Sequence, residues 1–295
     1  MEIVDQYRYL GLVLDEHASL KLAYDTLAQS AGRALGSIIN LYKTHKDMGF
    51  KTYTQLYNSC VTPILNYCAP IWATKEISSI EQIQCRALRT FIGVHRFVPI
   101  LGLYGDTGWM PCFFLHKIEI LKFWNRLVRL EDNRILKKVF DLDFEAGLPN
   151  SWCQNVRYIL SEIGMEDAFR QKEPCDIDLA KDAIKICYEQ AWSREILQKP
   201  KLRTYRKFKT TVNLESYISN YTKPIERSLV GQIRFGILPL EIETGRYKSV
   251  PPGDRLCKCC SLELVEDEIH FLFICPLYSN VRRIWLQEIN IIITS

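Results

Sequence analysis

Four residues near the C-terminal end have the types and spacing to hold a metal ion: Cys257, Cys260, His270 and Cys275, in the pattern Cys-x2-Cys-x9-His-x4-Cys. Two thiolates from a tight knuckle, then an imidazole and a third thiolate from a short helix, suit tetrahedral Zn2+. All four ligands come from the protein, so no position stays open for a substrate, and the spacing predicts a structural metal rather than a catalytic one. Cys259 sits inside the knuckle and is an alternative second ligand, although Cys-x1-Cys closes a knuckle less well. The opposing reading is ordinary buried thiols, because the chain has 11 cysteines. The other seven (Cys60, Cys68, Cys85, Cys112, Cys153, Cys175 and Cys187) are scattered singly, mostly on apolar helix faces where free cysteine behaves as a small hydrophobe. Only the last four cluster and bracket a histidine, which favours the metal.

The second set with chemical meaning is basic. The net charge is +4, yet the stretch from Lys199 to Lys258 carries 13 Lys and Arg against 5 Asp and Glu. A basic stretch leading into a zinc knuckle predicts a polyanionic partner, RNA or DNA, bound mainly through phosphates. Lys201, Arg203, Tyr205, Arg206, Lys207, Phe208 and Lys209 interleave cations with rings, and Arg246, Lys248, Arg255 and Lys258 flank the knuckle. Cations neutralise phosphates while rings offer stacking faces. In the plainer reading, Tyr205 and Phe208 anchor one helix face to the core and the cations are solvated. Both readings can hold together.

Catalytic chemistry is sparse. A two-metal phosphoryl-transfer site needs converging carboxylates, and no two aspartates are adjacent. Asp141-Leu142-Asp143 and Asp176-Ile177-Asp178 come closest, both at helix joints. No nucleophile-elbow motif is present. His116 lies on a helical pattern and reads as a core or surface residue.

The elements that must position these residues are mainly helical. Tyr7 to Asp15 reads as a short strand or hairpin arm. Leu22, Leu27, Leu35, Ile38, Ile39 and Leu41 mark a helix from about 21 to 43, and Tyr53 to Cys68 recur at steps of three and four. Pro63 should kink or break that second helix. Helices also follow over Ile77–Phe91, ended by Gly93, over Cys112–Glu131, and over Leu179–Gln198. Candidate helices at Leu214–Tyr221 and Lys223–Phe235 lie in the basic region. Leu101 to Pro111 reads as a glycine-rich loop without phosphate-binding spacing.

With 47% apolar and 12% aromatic residues the chain can bury a core. The uncharged run Thr52–Thr74 contains Gln55, Asn58, Asn66 and two prolines, so it predicts a buried helix and no membrane partner. The absence of a secretory signal and the odd cysteine count predict an intracellular, reducing compartment, nucleus or cytoplasm.

Several segments resemble the C-terminal region of reverse transcriptases from LINE-type (non-LTR) retrotransposons. These are Leu202-Arg-Thr-Tyr-Arg-Lys-Phe-Lys209, Glu215-Ser-Tyr217, Glu241-Ile-Glu-Thr-Gly-Arg-Tyr247, Arg255-Leu-Cys257 and Glu266-Asp-Glu-Ile-His-Phe-Leu-Phe-Ile-Cys-Pro-Leu-Tyr278. Tyr7-Arg-Tyr-Leu-Gly-Leu12 is similar to the end of the polymerase palm, and Tyr57, Pro63, Ile64, Leu65, Tyr67 and Trp72 to the helical thumb after it. Gly108-Trp-Met-Pro111 fits as well. The resemblance implies a palm-edge remnant at 1–20, a helical thumb-like region at 21–131, a helical connector at 132–198, a basic helical segment at 199–250 and a zinc-knuckle module at 251–295. It carries over Cys257, Cys260, His270 and Cys275 as zinc ligands. No catalytic residue carries over, because the family's endonuclease and its aromatic-x-Asp-Asp block have no counterpart here. On this resemblance the chain starts just after the catalytic core, the apolar run Asn290–Ser295 reads as a truncated end, and the chain is no polymerase by itself. It would bind nucleic acid, serve as a zinc-stapled interaction relic, or work only with a polymerase core supplied in trans.

Overall fold

The computed structural model describes residues 4–17, 19–45, 48–220 and 223–294, with side chains described as far as residue 287. The predicted end of the Leu214–Tyr221 helix and the side chains of Asn290–Ser295 lie outside the described residues. The chain is mainly helical with a short two-stranded sheet at its N-terminal end, as its periodicities predict.

Strands β1 (Gln6–Tyr9) and β2 (Leu12–Asp15) form an antiparallel hairpin with Tyr9 opposite Leu12. Leu12 tucks into the main core beside α1 (Lys21–Thr44), while Tyr7 and Tyr9 stay exposed. Helix α1 buries Ala23, Leu27, Ala31, Leu35, Ile38 and Tyr42, a stripe at steps of three and four. The uncharged run then breaks at its prolines into α2 (Phe50–Cys60), α3 (Thr62–Leu65) and α4 (Ala69–Trp72). Pro63 and Pro70 each sit in the first turn of their helices, where the missing N–H has no partner to lose. Tyr53, Tyr57, Val61, Leu65, Ala69 and Trp72 are buried, and no described helix is long and apolar enough to cross a membrane.

Helix α5 (Ser78–Ile92) packs along α1 and ends at Gly93. The segment expected as a glycine-rich loop is instead α6 (Ile100–Thr107), almost entirely buried. Its glycines serve close approach rather than turning. A Cβ at Gly102 would meet the Phe235 ring at 2.6 Å, and one at Gly105 would meet Trp192 at 2.7 Å. Then come α7 (Cys112–Val128), α8 (Ile135–Ala146), α9 (Trp152–Glu162), α10 (Glu166–Arg170) and α11 (Ile177–Leu197). The C-terminal half of α7 joins α8 to α11 in a second core around Trp124, which stacks on Phe169 and meets Phe140 edge-on. His116 is buried in α7 with Nε2 3.1 Å from Asn66 Oδ1, so it is an interior residue.

The basic region folds back onto the first core. Helices α12 (Tyr205–Phe208) and α13 (Ser216–Asn220) contribute Tyr205, Tyr217 and Ile218 to it, α14 (Pro224–Arg234) packs Val230 against it, and Leu202 and Phe235 join them. Their anchor is Asp106 of α6, which is fully buried. It accepts hydrogen bonds from the hydroxyls of Tyr205 (2.7 Å) and Tyr217 (2.9 Å) and two from the Arg234 guanidinium (2.7 and 2.8 Å). A buried carboxylate is tolerated only with such complete pairing. The last elements are α15 (Glu241–Thr244), a short wound turn at His270–Ile274 and α16 (Ser279–Thr294).

Candidate metal centre

A two-rung hairpin builds the knuckle. Cys257 N–H donates to Leu264 O (2.8 Å), and Glu266 N–H donates to Arg255 O (3.0 Å). Inside the loop, Cys259 N–H points at Cys257 Sγ (3.4 Å), which fixes the first sulfur. The second pair of donors comes from the turn that follows. Asp267 accepts from His270 N–H (2.8 Å) and so starts that turn, and Cys275 N–H donates to His270 O (2.8 Å) and closes it. Arg282 of α16 donates to the carbonyls of Leu272 (2.8 Å) and Cys275 (2.9 Å), holding the far end.

The structure therefore brings Cys257, Cys260, His270 and Cys275 together, with their donor atoms all within 4.8 Å of one another. His270 Nε2 lies 3.5 Å from Cys260 Sγ. Zinc–sulfur bonds of about 2.3 Å in a tetrahedron put sulfurs about 3.8 Å apart, so the donors need to close in by no more than about 1 Å to share one ion. His270 and Cys275 are buried, and His270 Nδ1 has no hydrogen-bond partner. Burial pushes the Cys257 thiol up to about 12, with neighbouring Cys260 and Cys275 adding to the rise and the Cys259 amide opposing it. An ion entering here displaces protons to gain its thiolate ligands. Cys259 takes a different place. It is exposed and groups with Cys257 and Glu266, a set of three only. The Glu266 carboxylate already accepts the Glu241 N–H (2.8 Å), so Cys260 completes the four-donor set and Cys259 does not.

The cations that the sequence grouped as a binding face mostly fasten this module to the helical body. Glu268, 1% exposed, accepts from the Arg203 guanidinium and from Thr204 Oγ1 (2.9 Å). The buried Glu243 pairs with Lys201 (2.8 Å) and Arg246 (3.1 Å). Gly236, at φ 62°, lets the chain after α14 pass so close to the Lys201 carbonyl that any Cβ would collide with it. Arg255 donates to the carbonyls of Val250 (2.9 Å) and Ile242 (2.6 Å), and Lys258 pairs with Glu241 (2.7 Å).

The expectation of one continuous phosphate-binding face over 201–209 is corrected accordingly. Tyr205 is fully buried with its hydroxyl on Asp106, so it offers no stacking surface. Lys209 is buried against Glu215 and Asn213. Phe208 stays half exposed, with the Arg234 guanidinium 4.7 Å over its ring. Arg206 is exposed but donates to Leu197 O. Among the ten, only the side chains of Lys207 and Lys248 are exposed with neither an ion pair nor a hydrogen bond among the described residues. The physical reason is that carboxylates neutralise the run: Glu215, six positions on, takes Lys209, while Glu243 and Glu268, 42 and 65 positions on, take Lys201 and Arg203 and lie outside any local window. The sequence reading passed over Arg89, Arg96 and Lys199, which also lack an ion pair among the described residues. They stand up to 110 positions apart along the chain; Lys199 only opens the basic stretch, and no charge run marks Arg89 or Arg96. Compared with known proteins, the chain matches no family model, no curated protein and no solved structure.

Proposed function

We propose that the chain is a nucleic-acid-binding region of a non-LTR retrotransposon reverse transcriptase, with Zn2+ as a structural metal on Cys257, Cys260, His270 and Cys275. The observation that carries the reading is the coupling of the donor cluster to the basic segment. The donor cluster and the two carboxylates that clamp Lys201 and Arg203 belong to one small unit. Closing the cluster around an ion therefore fixes the basic segment on the body. Cations left without carboxylate partners, Lys207 and Lys248 among them, are then presented on a rigid frame to phosphates.

By itself the chain is no polymerase on this reading. Its nearest carboxylate pairs have structural duties: Asp141 pairs with Lys137 and Lys172, Asp143 accepts the Cys153 N–H (2.8 Å), Asp176 caps α11, and Asp178 pairs with Lys181. A polymerase core acting in trans would have to bring its own metal-binding carboxylates. One observation favours a second reading, a zinc-stapled protein-interaction module. Tyr7, Tyr9 and Leu10 of the hairpin are each more than half exposed, an apolar face suited to another protein.

Titration of labelled single-stranded RNA, at about 50 and about 150 mM salt, with zinc and with chelator, separates the two. Binding that needs zinc and weakens steeply with salt supports the first. Zinc retention with no RNA binding and with self-association supports the second.

A further inference from the structure

A cleft of about 630 Å3 opens between α5, α6, α7 and α11 on one side and the segments 96–101 and 199–201 on the other. That volume is typical of small-molecule sites. Its buried lining is aromatic, with Tyr104, Tyr188 and Trp192, and Phe114 beside them. At its rim Phe97 is 57% exposed, with the Arg96 guanidinium 4.8 Å over its ring.

Two polar groups in this cleft have no hydrogen-bond partner. The Tyr188 hydroxyl is buried on a residue only 5% exposed, and Arg89 Nε is buried as well. An unmade hydrogen bond on a buried group is costly, so native folds rarely leave two in one place. Both lack only an acceptor. The charged groups at the cleft point the same way. Arg89, Arg96 and Lys199 form no ion pair among the described residues, while Lys201 and Arg246 are held by Glu243. Of the carboxylates in the lining, Glu81 is engaged by the N–H groups of Cys112 and Phe113 at the start of α7 and by the Tyr104 hydroxyl, which leaves Glu76 and Glu195 exposed.

We propose that this cleft binds one nucleotide unit. The base lies among the aromatic side chains, with a ring or carbonyl acceptor on the Tyr188 hydroxyl. The phosphate lies against Arg89, Arg96 and Lys199. Glu76 and Glu195 favour a ligand that carries amino donors as well as an anion, which inorganic phosphate and fatty acids do not. A duplex cannot present a base to such a cleft, because its bases are stacked and paired, so the unit is unpaired. It comes either from a single strand or from a free nucleotide. The inference deepens the nucleic-acid reading and rests on it.

The test uses the full, zinc-loaded chain and fluorescein-labelled octacytidylate, whose bases carry an amino donor beside ring and carbonyl acceptors, read by anisotropy, with cytidine monophosphate as competitor. Tyr188→Phe removes one unpartnered oxygen, so it should melt no lower than the parent while binding weakens about fivefold. Arg89→Gln with Arg96→Gln should weaken binding tenfold or more, on the order expected for charge-assisted bonds to phosphate. Lys207→Gln with Lys248→Gln should lose much less. Competition by the mononucleotide assigns the site to free nucleotides, and strand binding without competition assigns it to an unpaired residue of a strand. Either result supports the cleft if binding weakens in Tyr188→Phe and in Arg89→Gln with Arg96→Gln. Strand binding that ignores the Tyr188 and Arg89 variants but falls with Lys207 and Lys248 overturns the cleft and leaves the nucleic-acid reading standing. Mononucleotide binding without strand binding keeps the cleft and overturns that reading. No binding of either probe overturns both.

Discussion

The helical body and the C-terminal module solve the problem of burial in opposite ways. The body encloses its own apolar stripes, with Leu35, Leu88, Phe91 and Ile92 wholly buried in one continuous core. The module has no such interior. Among the described residues from 251 to 287, only Cys257, Glu268, His270 and Cys275 are buried. Leu256, Leu262, Leu264, Phe273 and Leu277 all remain exposed. Three of the four candidate metal donors and one ion-paired carboxylate make up the buried set among these described residues. A unit that small needs a staple, whereas the body does not.

Removing the metal should split the two most sharply. Structural zinc sites contribute on the order of 10 kcal/mol to folding, so chelation or Cys275→Ser should abolish protection of amides in 255–278. The helicity of α1, α5 and α7 should persist. Hydrogen exchange read by mass spectrometry checks this. Loss of protection throughout the chain would instead make body and module one cooperative unit, joined through Glu243 and Glu268.

The converse perturbation acts on the body. Asp106→Asn keeps the shape of the side chain but leaves the Arg234 guanidinium without its buried counter-charge. Breaking a buried pair from one side costs about 3–5 kcal/mol, so the denaturation midpoint should fall well below that of the parent. Zinc content, measured on the folded protein, should not change. If zinc retention falls with it, the module depends on the body more than its contacts suggest.

The same contrast explains which parts were legible in the sequence. Helix α1 was legible because Leu27, Leu35 and Ile38 fall at local spacings. The donor set was legible because Cys-x2-Cys closes within a single turn, and only the choice between Cys259 and Cys260 needed geometry. Helix α6 was not. Gly102 and Gly105 look like loop formers until Phe235 and Trp192, each at least 87 positions on, are placed against them. The roles of Arg203 and Lys201 were hidden for a related reason. A cation in a basic run reads as free, and its carboxylate partner is found only by folding: Glu268 lies 65 positions from Arg203. Asp106 gave no local sign at all of gathering Tyr205, Tyr217 and Arg234.

Acid should reach the two regions through different groups. In the body, burial lowers His116 to about 4. Its folded value lies below its unfolded value of about 6.5, so the unfolded chain takes up the proton first. Stability is therefore full above about pH 6.5 and is lost as pH falls toward 4, by up to about 3 kcal/mol. Burial raises Glu81, which works in the opposite direction, so the informative quantity is a difference. His116→Gln should flatten the decline between pH 6.5 and 4 in denaturation followed at the body's tryptophans. An unchanged slope would remove His116 from the account and leave acid sensitivity to the module.

The smallest expected effect lies at the seam between the regions. Glu268→Gln keeps the volume and one acceptor for Thr204 but leaves the Arg203 guanidinium uncompensated where it is four-fifths buried. That should cost about 1–3 kcal/mol of docking. Lys258→Gln breaks the pair with Glu241 at a side chain 67% exposed, where solvent already screens the charge, so its cost should be near zero. Both variants should keep their zinc, because neither residue is a donor. Exchange rates for amides in 199–209 then decide the point. Faster exchange in Glu268→Gln alone means the basic segment is held by that carboxylate. Equal exchange in both means the seam is held by packing around Gly236, and the ion pairs only decorate it.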